Sequence, residues 1–267
     1  MTIRRQPRPE EEELEAKKAE LAVLEEQLAL KELDLETLRS EIGTFLRAYL
    51  TSVGPIALER ERLFARIASA IYALDPTEIN RTRYLAANET AGEAERDQNQ
   101  QDSARGRHQP SESPRFEPTA ALRDRFIDLV KQAHPDLARD EEDRSKRNEF
   151  MARVNRAYQE GNEEALRALA DEWALGGDRP QDESIGDHLV RLIRLIAAVK
   201  RRLVDAESEI DGLKLSEDHI LMERSLAAAD EGRDLISQVV ARIEEEIQEL
   251  QTTIKESLAR LETAAHP

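Results

Sequence analysis

Few residues in this sequence have types and spacings that suit chemistry. The five histidines are His108, His134, His188, His219 and His266. No two are spaced to share a helical face, so no metal site is expected. The absence of Cys excludes disulfides, thiolate nucleophiles and Cys-based zinc or iron–sulfur sites. No Ser stands in a Gly-x-Ser-x-Gly turn and no Gly-rich phosphate loop occurs. The expectation is therefore a chain that is not an enzyme and carries no cofactor. Its many carboxylate pairs read as solvated faces of helices, because Asp and Glu are rarely buried. One constellation stands apart, His134-Pro135-Asp136. Pro135 fixes φ and removes a donor, which stiffens the turn and lowers the ordering cost of binding a partner. Asp136 can accept paired hydrogen bonds from a partner arginine, and a neutral His134 can bridge to a further polar group.

The flanking residues must position that turn. Leu122, Phe126, Leu129, Val130 and Ala133 fall on one face of a four-turn helix, which Pro135 ends at His134. Asp140-Glu141-Glu142-Asp143 supplies an N-cap and an acidic first turn for a second helix. That helix carries Met151, Val154, Ala157 and Tyr158 on one face. Gly161 suits its C-terminal cap and Asn162 the N-cap of a shorter helix with Leu166, Leu169, Ala170 and Trp173. Residues 119–175 thus read as a small all-helical module with the tripeptide at the tip of a hairpin, its core built on Leu122, Phe126, Leu129, Met151, Val154 and Tyr158.

The string Leu122-x3-Phe126-x2-Leu129-x4-His134-Pro135-Asp136, followed by Met151-x2-Val154-Asn155-x-Ala157-Tyr158, resembles the J domain of DnaJ-type co-chaperones. It covers about 50 of the 267 residues, and its specificity comes from the placement of the tripeptide between two helices. The resemblance implies that His134, Pro135 and Asp136 dock on a DnaK-type chaperone ATPase and accelerate its ATP hydrolysis. It also implies a basic outer face on the helix before the tripeptide, here carried by Arg123, Arg125 and Lys131. Departures are Asp124 and Asp128 on that helix, Ile127-Asp128 and Leu137 at positions often basic in the family, and no match to the family's aromatic opening helix in Pro114–Pro118.

Two Pro-free stretches flank the module, 10–54 and 181–266. In the first, Leu14, Leu21, Leu28, Leu35, Ile42 and Tyr49 recur every seven residues, with Lys17, Leu24, Lys31, Leu38, Phe45 and Ser52 three residues later. This alternation predicts a coiled coil or helical hairpin whose partner is another copy or a later part of the chain. The two lysines weaken its seam. Gly54-Pro55 is expected to kink or end that helix. A second helix with Leu63, Ile67, Ile71 and Leu74 follows, stopped at Asp75-Pro76. The C-terminal stretch reads as a helical hairpin with a turn at Gly212–Ser216 and Ser216 as N-cap. Its first helix carries Leu189, Leu192, Ile196, Val199 and Leu203. Its second carries Ile236, Val240, Ile243, Ile247, Leu250, Ile254 and Leu261, with Gly232 inside it. Residues 88–118 are polar and Pro-containing and read as a flexible linker, with His108 solvated in it.

Composition agrees with this division. Charged residues make up 36% of the chain, hydrophobic residues 39% and aromatics 4%, which favours long helices with narrow buried stripes over a parallel-sheet enzyme. The net charge is −17, yet residues 120–158 hold nine Lys/Arg and eight Asp/Glu, so −18 lies outside the hairpin. Nucleic-acid binding through Arg123, Arg125 and Lys131 is disfavoured by that charge. Met1–Pro9 has no apolar segment after it, and Leu189–Val199 is short and interrupted by arginines, so neither a secretory signal nor a membrane span is expected. The expected organisation is all-α: an N-terminal coiled coil and second helix (10–87), a linker (88–118), the J-domain-like module (119–175) and a C-terminal helical hairpin or coiled coil (184–264). The expected function is a cytoplasmic co-chaperone that recruits a DnaK-type ATPase, with arms for self-association or for a client protein. The alternative is a scaffolding coiled-coil protein whose hairpin no longer stimulates an ATPase.

Overall fold

The computed structural model describes residues 8–105, 115–175 and 184–265. Among the described residues the protein is all-α, without strands. Its helices are α1 (Pro9–Leu74), α2 (Glu78–Arg105), α3 (Ala120–Ala133), α4 (Glu141–Gln159), α5 (Glu163–Leu175), α6 (Ile185–Lys214), α7 (Glu217–Asp230) and α8 (Leu235–Ala265). A single 3₁₀ turn, Pro135–Leu137, joins α3 to α4. Two compact units form, and neither follows a continuous stretch of chain. One comprises Met1–Gly43 with Arg115–His219, the other Thr44–Pro114 with Ile220–Pro267.

In the first unit, α3, α4 and α5 close around Leu122, Phe126, Leu129, Val130, Phe150, Met151, Val154, Tyr158, Leu166 and Leu169. Local chemistry sets the helix ends. Thr119 Oγ1 accepts from the Leu122 N–H, and Asp140 Oδ1 accepts from the Asp143 N–H. Gly161 has φ +65°, which allows the Asn162 N–H to reach back to the Ala157 carbonyl at 2.9 Å and close α4. Asn162 Oδ1 then accepts from the Ala165 N–H to open α5. Arg147 is buried and donates to Asp143 and to the Gln132 carbonyl, satisfying one of the carbonyls left open at the end of α3. Its guanidinium lies 5.2 Å from the centre of the Trp173 ring, which also packs on Phe150.

The heptad stripe of α1 finds its partner inside the chain. Leu14, Leu21, Leu24 and Leu28 pack on Leu192, Ile196 and Val199 of α6, with Leu189 and Leu203 at the margin. Further along α1, Leu35 and Ile42 are also buried, whereas the adjacent face presents Ala29 and Leu33 to the α3–α5 core. The two lysines on the second track keep their charges outside the seam, Lys17 with Glu20 at 2.7 Å and Lys31 with Glu207 at 3.6 Å.

In the second unit, of the kink or end expected at Gly54-Pro55, the end does not occur. α1 continues to Leu74 with Pro55 inside it, so Leu63, Ile67, Ile71 and Leu74 belong to the same helix. Val53, Ile56 and Ala57 on either side of Pro55 pack with Ile243, Ile247 and Val240 of α8, and this burial offsets the lost backbone bond. Residues 88–105 of the expected linker are helical in α2, a segment of good helix formers such as Ala86, Ala87, Ala91 and Ala94 with an Arg62–Glu95 ion pair to α1. His108 lies outside the described residues. The C-terminal stretch holds three helices, not two. Gly212 is helical, and the break falls at Leu215-Ser216, where Ser216 Oγ accepts from the His219 N–H. Gly232, expected inside a helix, ends α7 instead. Its φ of +75° lets the Arg233 N–H bond the Ala228 carbonyl at 2.8 Å.

Phe126 is fully buried and its ring lies 4.6 Å from that of Tyr158. Phe126→Ala is expected to lower the unfolding free energy by about 3–5 kcal/mol, as measured by urea titration followed by circular dichroism.

Candidate functional site

The His-Pro-Asp turn is built by the end of α3. His134 N–H donates to the Val130 carbonyl as the last bond of the helix. Pro135 has no N–H to continue it. The Leu137 and Ala138 N–H groups turn back to His134 and Pro135 carbonyls at 3.0 and 3.1 Å, giving the 3₁₀ turn. The Asp136 N–H donates to His134 Nδ1 at 3.1 Å. With Nδ1 accepting, the hydrogen of the neutral imidazole lies on Nε2.

That Nε2 faces Glu32 of α1, 3.3 Å from Oε1. Both side chains are enclosed, His134 at 5% exposure and Glu32 at 6%. Arg202 of α6 completes the cluster with a fork on the same carboxylate: Nε donates to Oε1 at 2.6 Å and Nη2 to Oε2 at 3.0 Å. The third edge of the guanidinium donates to Glu209 at 2.5 Å. Glu209 in turn accepts from Arg39, whose other nitrogen donates to Glu36 at 2.7 Å. Burial pushes the Glu32 carboxyl up, but hydrogen bonds from His134 and Arg202 and the Arg202 charge outweigh it, and the group is held below the usual carboxylate range. Burial pulls Arg202 down, and its two glutamates more than reverse this.

Glu36, one turn from Glu32, is 1% exposed and accepts from Asn155 Nδ2 at 3.3 Å and Gln159 Nε2 at 2.7 Å on α4. Thr37 bonds the Tyr158 hydroxyl at 2.7 Å. The face of α1 from Glu26 to Thr37 therefore lies along the hairpin, tied by polar groups at its tip and along α4.

The six residues expected to contact a chaperone fall into separate surroundings. His134 is buried and engaged by α1. Pro135 is half-buried. The Asp136 carboxylate is largely covered and lies 3.5 Å from the Arg144 guanidinium. Lys131 is paired with Glu26 of α1, Arg125 lies 3.8 Å from Glu163 of α5, and Arg123 is exposed. Leu137, just past the tripeptide, packs on the Leu192–Val199 side of the α1–α6 seam. The turn thus faces its own chain. Glu32, Glu36 and Arg202 escape a reading of the sequence, where the two glutamates look like any other solvated pair in an acidic helix. Among the described residues no cluster of His, Asp and Glu is arranged to hold a metal ion, and no helix is long and apolar enough to cross a membrane.

The depressed Glu32 carboxyl gives a defined pH response. A group whose folded value is lowered contributes stability that is complete above its unfolded value, about 4.3, and lost as pH falls through the folded one. His134 and Arg202 face this carboxylate, and Glu209 lies beyond Arg202. Urea midpoints measured between neutral pH and the acid limit of folding are expected to fall less steeply for Glu32→Gln than for wild type. Equal slopes would show that this carboxylate is not held below its unfolded value.

Comparison with known proteins finds no family, curated protein or solved structure that matches this chain.

Proposed function

We propose that the protein is a J-domain-like co-chaperone, an adaptor that brings a DnaK-type chaperone ATPase to whatever its helical arms bind. The observation that supports it is the hairpin itself. His134-Pro135-Asp136 stands at the junction of α3 and α4, over a core of Leu122, Phe126, Leu129, Met151, Val154 and Tyr158. In this reading His134, Pro135 and Asp136 contact the ATPase, with Arg123, Arg125 and Lys131 as the basic face. ATP is bound by the partner. The near-neutral hairpin, in a chain of −17 overall, suits an acidic docking surface. The arms serve self-association or a client, and a cytoplasmic location suits the proposed partner and the absence of Cys.

A second reading is favoured by the enclosure of His134. A scaffold would use the same turn as an internal tie between α1, α3 and α6, with no ATPase partner. The two readings separate in one measurement. Steady-state ATP hydrolysis by a cytoplasmic DnaK-type chaperone is expected to rise on adding the protein, and to rise less with His134→Gln or Asp136→Asn. Stimulation equal in all three proteins removes the co-chaperone reading. Pull-down of the chaperone that is lost with Asp136→Asn counts against the scaffold.

A further inference from the structure

We propose that α1 and α6 clamp the His-Pro-Asp turn in a closed state, with the Glu32–Arg202 pair as the latch, so that docking of an ATPase requires the clamp to open. This rests on the co-chaperone reading and adds its regulation.

The turn is closed in three respects. Both ring nitrogens of His134 are used, Nδ1 by its own turn and Nε2 by Glu32. The Asp136 carboxylate is largely covered and faces Arg144, so an incoming arginine would compete with a cation already there. Leu137 is packed toward the α1–α6 seam. A partner therefore meets neither the ring nor the free carboxylate that the tripeptide would offer it.

The closed contact has the composition of a reversible interface. Twelve of the thirteen buried residues in the hairpin core come from α3, α4 and α5, and α1 contributes only Ala29, with Leu33 at the edge. The apolar share of α1 in that contact is Ala29 with Leu33, and the other twelve residues lie together in the module. What holds the two together is polar: Lys131 to Glu26, His134 to Glu32, Asn155 and Gln159 to Glu36, and Tyr158 to Thr37. Hydrogen bonds of this kind exchange with water at modest net cost. Arg202 is the polar tie of α6 to the tip, beside the apolar contact of Leu137, and without it the Glu32 carboxylate is left buried with His134 alone. A partner that pulls α6 or the N-terminal half of α1 away would open the site.

The test uses the full chain and two variants outside the hairpin. Arg202→Met removes the latch. Ala29→Glu places a charge in the α1 contact and leaves every hairpin residue in place. Accessibility of His134 is read by carbethoxylation with diethyl pyrocarbonate and peptide mass spectrometry, with His188 as internal reference. Activity is read as stimulation of a DnaK-type ATPase. Closure predicts that His134 reacts at least about tenfold faster in either variant, and that stimulation rises by a comparable factor, since apparent affinity scales with the open fraction. Adding His134→Gln to Arg202→Met should remove the gain. Unchanged reactivity of His134 in both variants overturns the latch. So does full stimulation by wild type that neither variant exceeds, a result that leaves the co-chaperone reading standing. If His134 is freed and no protein stimulates, the co-chaperone reading fails and the latch falls with it.

Discussion

The arrangement of the first unit depends on the buried carboxylate of Glu32. Removing Glu32 from water costs several kcal/mol, and a lone partner would not offset it. Three donor nitrogens converge on its two oxygens, one from His134 and two from Arg202. They come from the hairpin tip and from α6, while the carboxylate comes from α1. The register of three elements is therefore fixed together, because sliding any one by a residue leaves a buried charge without its partners. The network continues through Glu209 and Arg39 to Glu36, which also accepts from Asn155 and Gln159. Buried ion networks of this kind add little net stability compared with apolar packing, and their effect here is on which arrangement forms.

Around that constraint, two faces of α1 do different work. Its leucine stripe, Leu14 to Leu28, meets α6 through an apolar seam, while Ala29 and Leu33 meet the hairpin beside the row of polar ties. A heptad pattern normally describes a helix with one partner. Glutamates at 32 and 36, just off the seam, give this helix a second one. The small side chain of Ala29 permits close approach at that point, and the polar groups beside it give the contact direction.

Much of the fold is legible in the sequence because its causes are local. The apolar face of α3, the Asp140 cap, the αL glycine at 161 and the Asn162 cap each act within a few residues, and so does the stop at Asp75-Pro76. The failures share a cause in long-range packing. Pro55 carries a local instruction to break, and Val53, Ile56 and Ala57 override it by burying against residues some 190 positions later in the chain. Gly232 belongs to a helix end that the surrounding apolar stripe conceals. The tripeptide is visible as a motif, but its enclosure is not. Glu32 lies 102 positions from His134 and 170 from Arg202, and nothing distinguishes it from the solvated acids beside it on α1.

If the turn docks on a partner as proposed, the features that suit it to that partner are the same ones that suit it to its own chain. Pro135 makes it stiff, so little ordering cost is incurred whether Glu32 or an external group meets His134. The two contacts are then in direct competition for one imidazole. An internal contact needs no encounter in solution, and its effective concentration is set by the fold. An external partner wins only if it offers more than Glu32, or if something first displaces α1 or α6. Were the closed form favoured a hundredfold, apparent affinity would fall by about 2.7 kcal/mol, the difference between a nanomolar and a sub-micromolar complex. The three cations of α3 are subject to the same logic, since Lys131 is paired with α1 and Arg125 with α5, leaving Arg123 as the exposed one of the three. Opening the contact with α1 would therefore release the imidazole and one of the cations in a single motion, and the two effects on a docking partner would appear together.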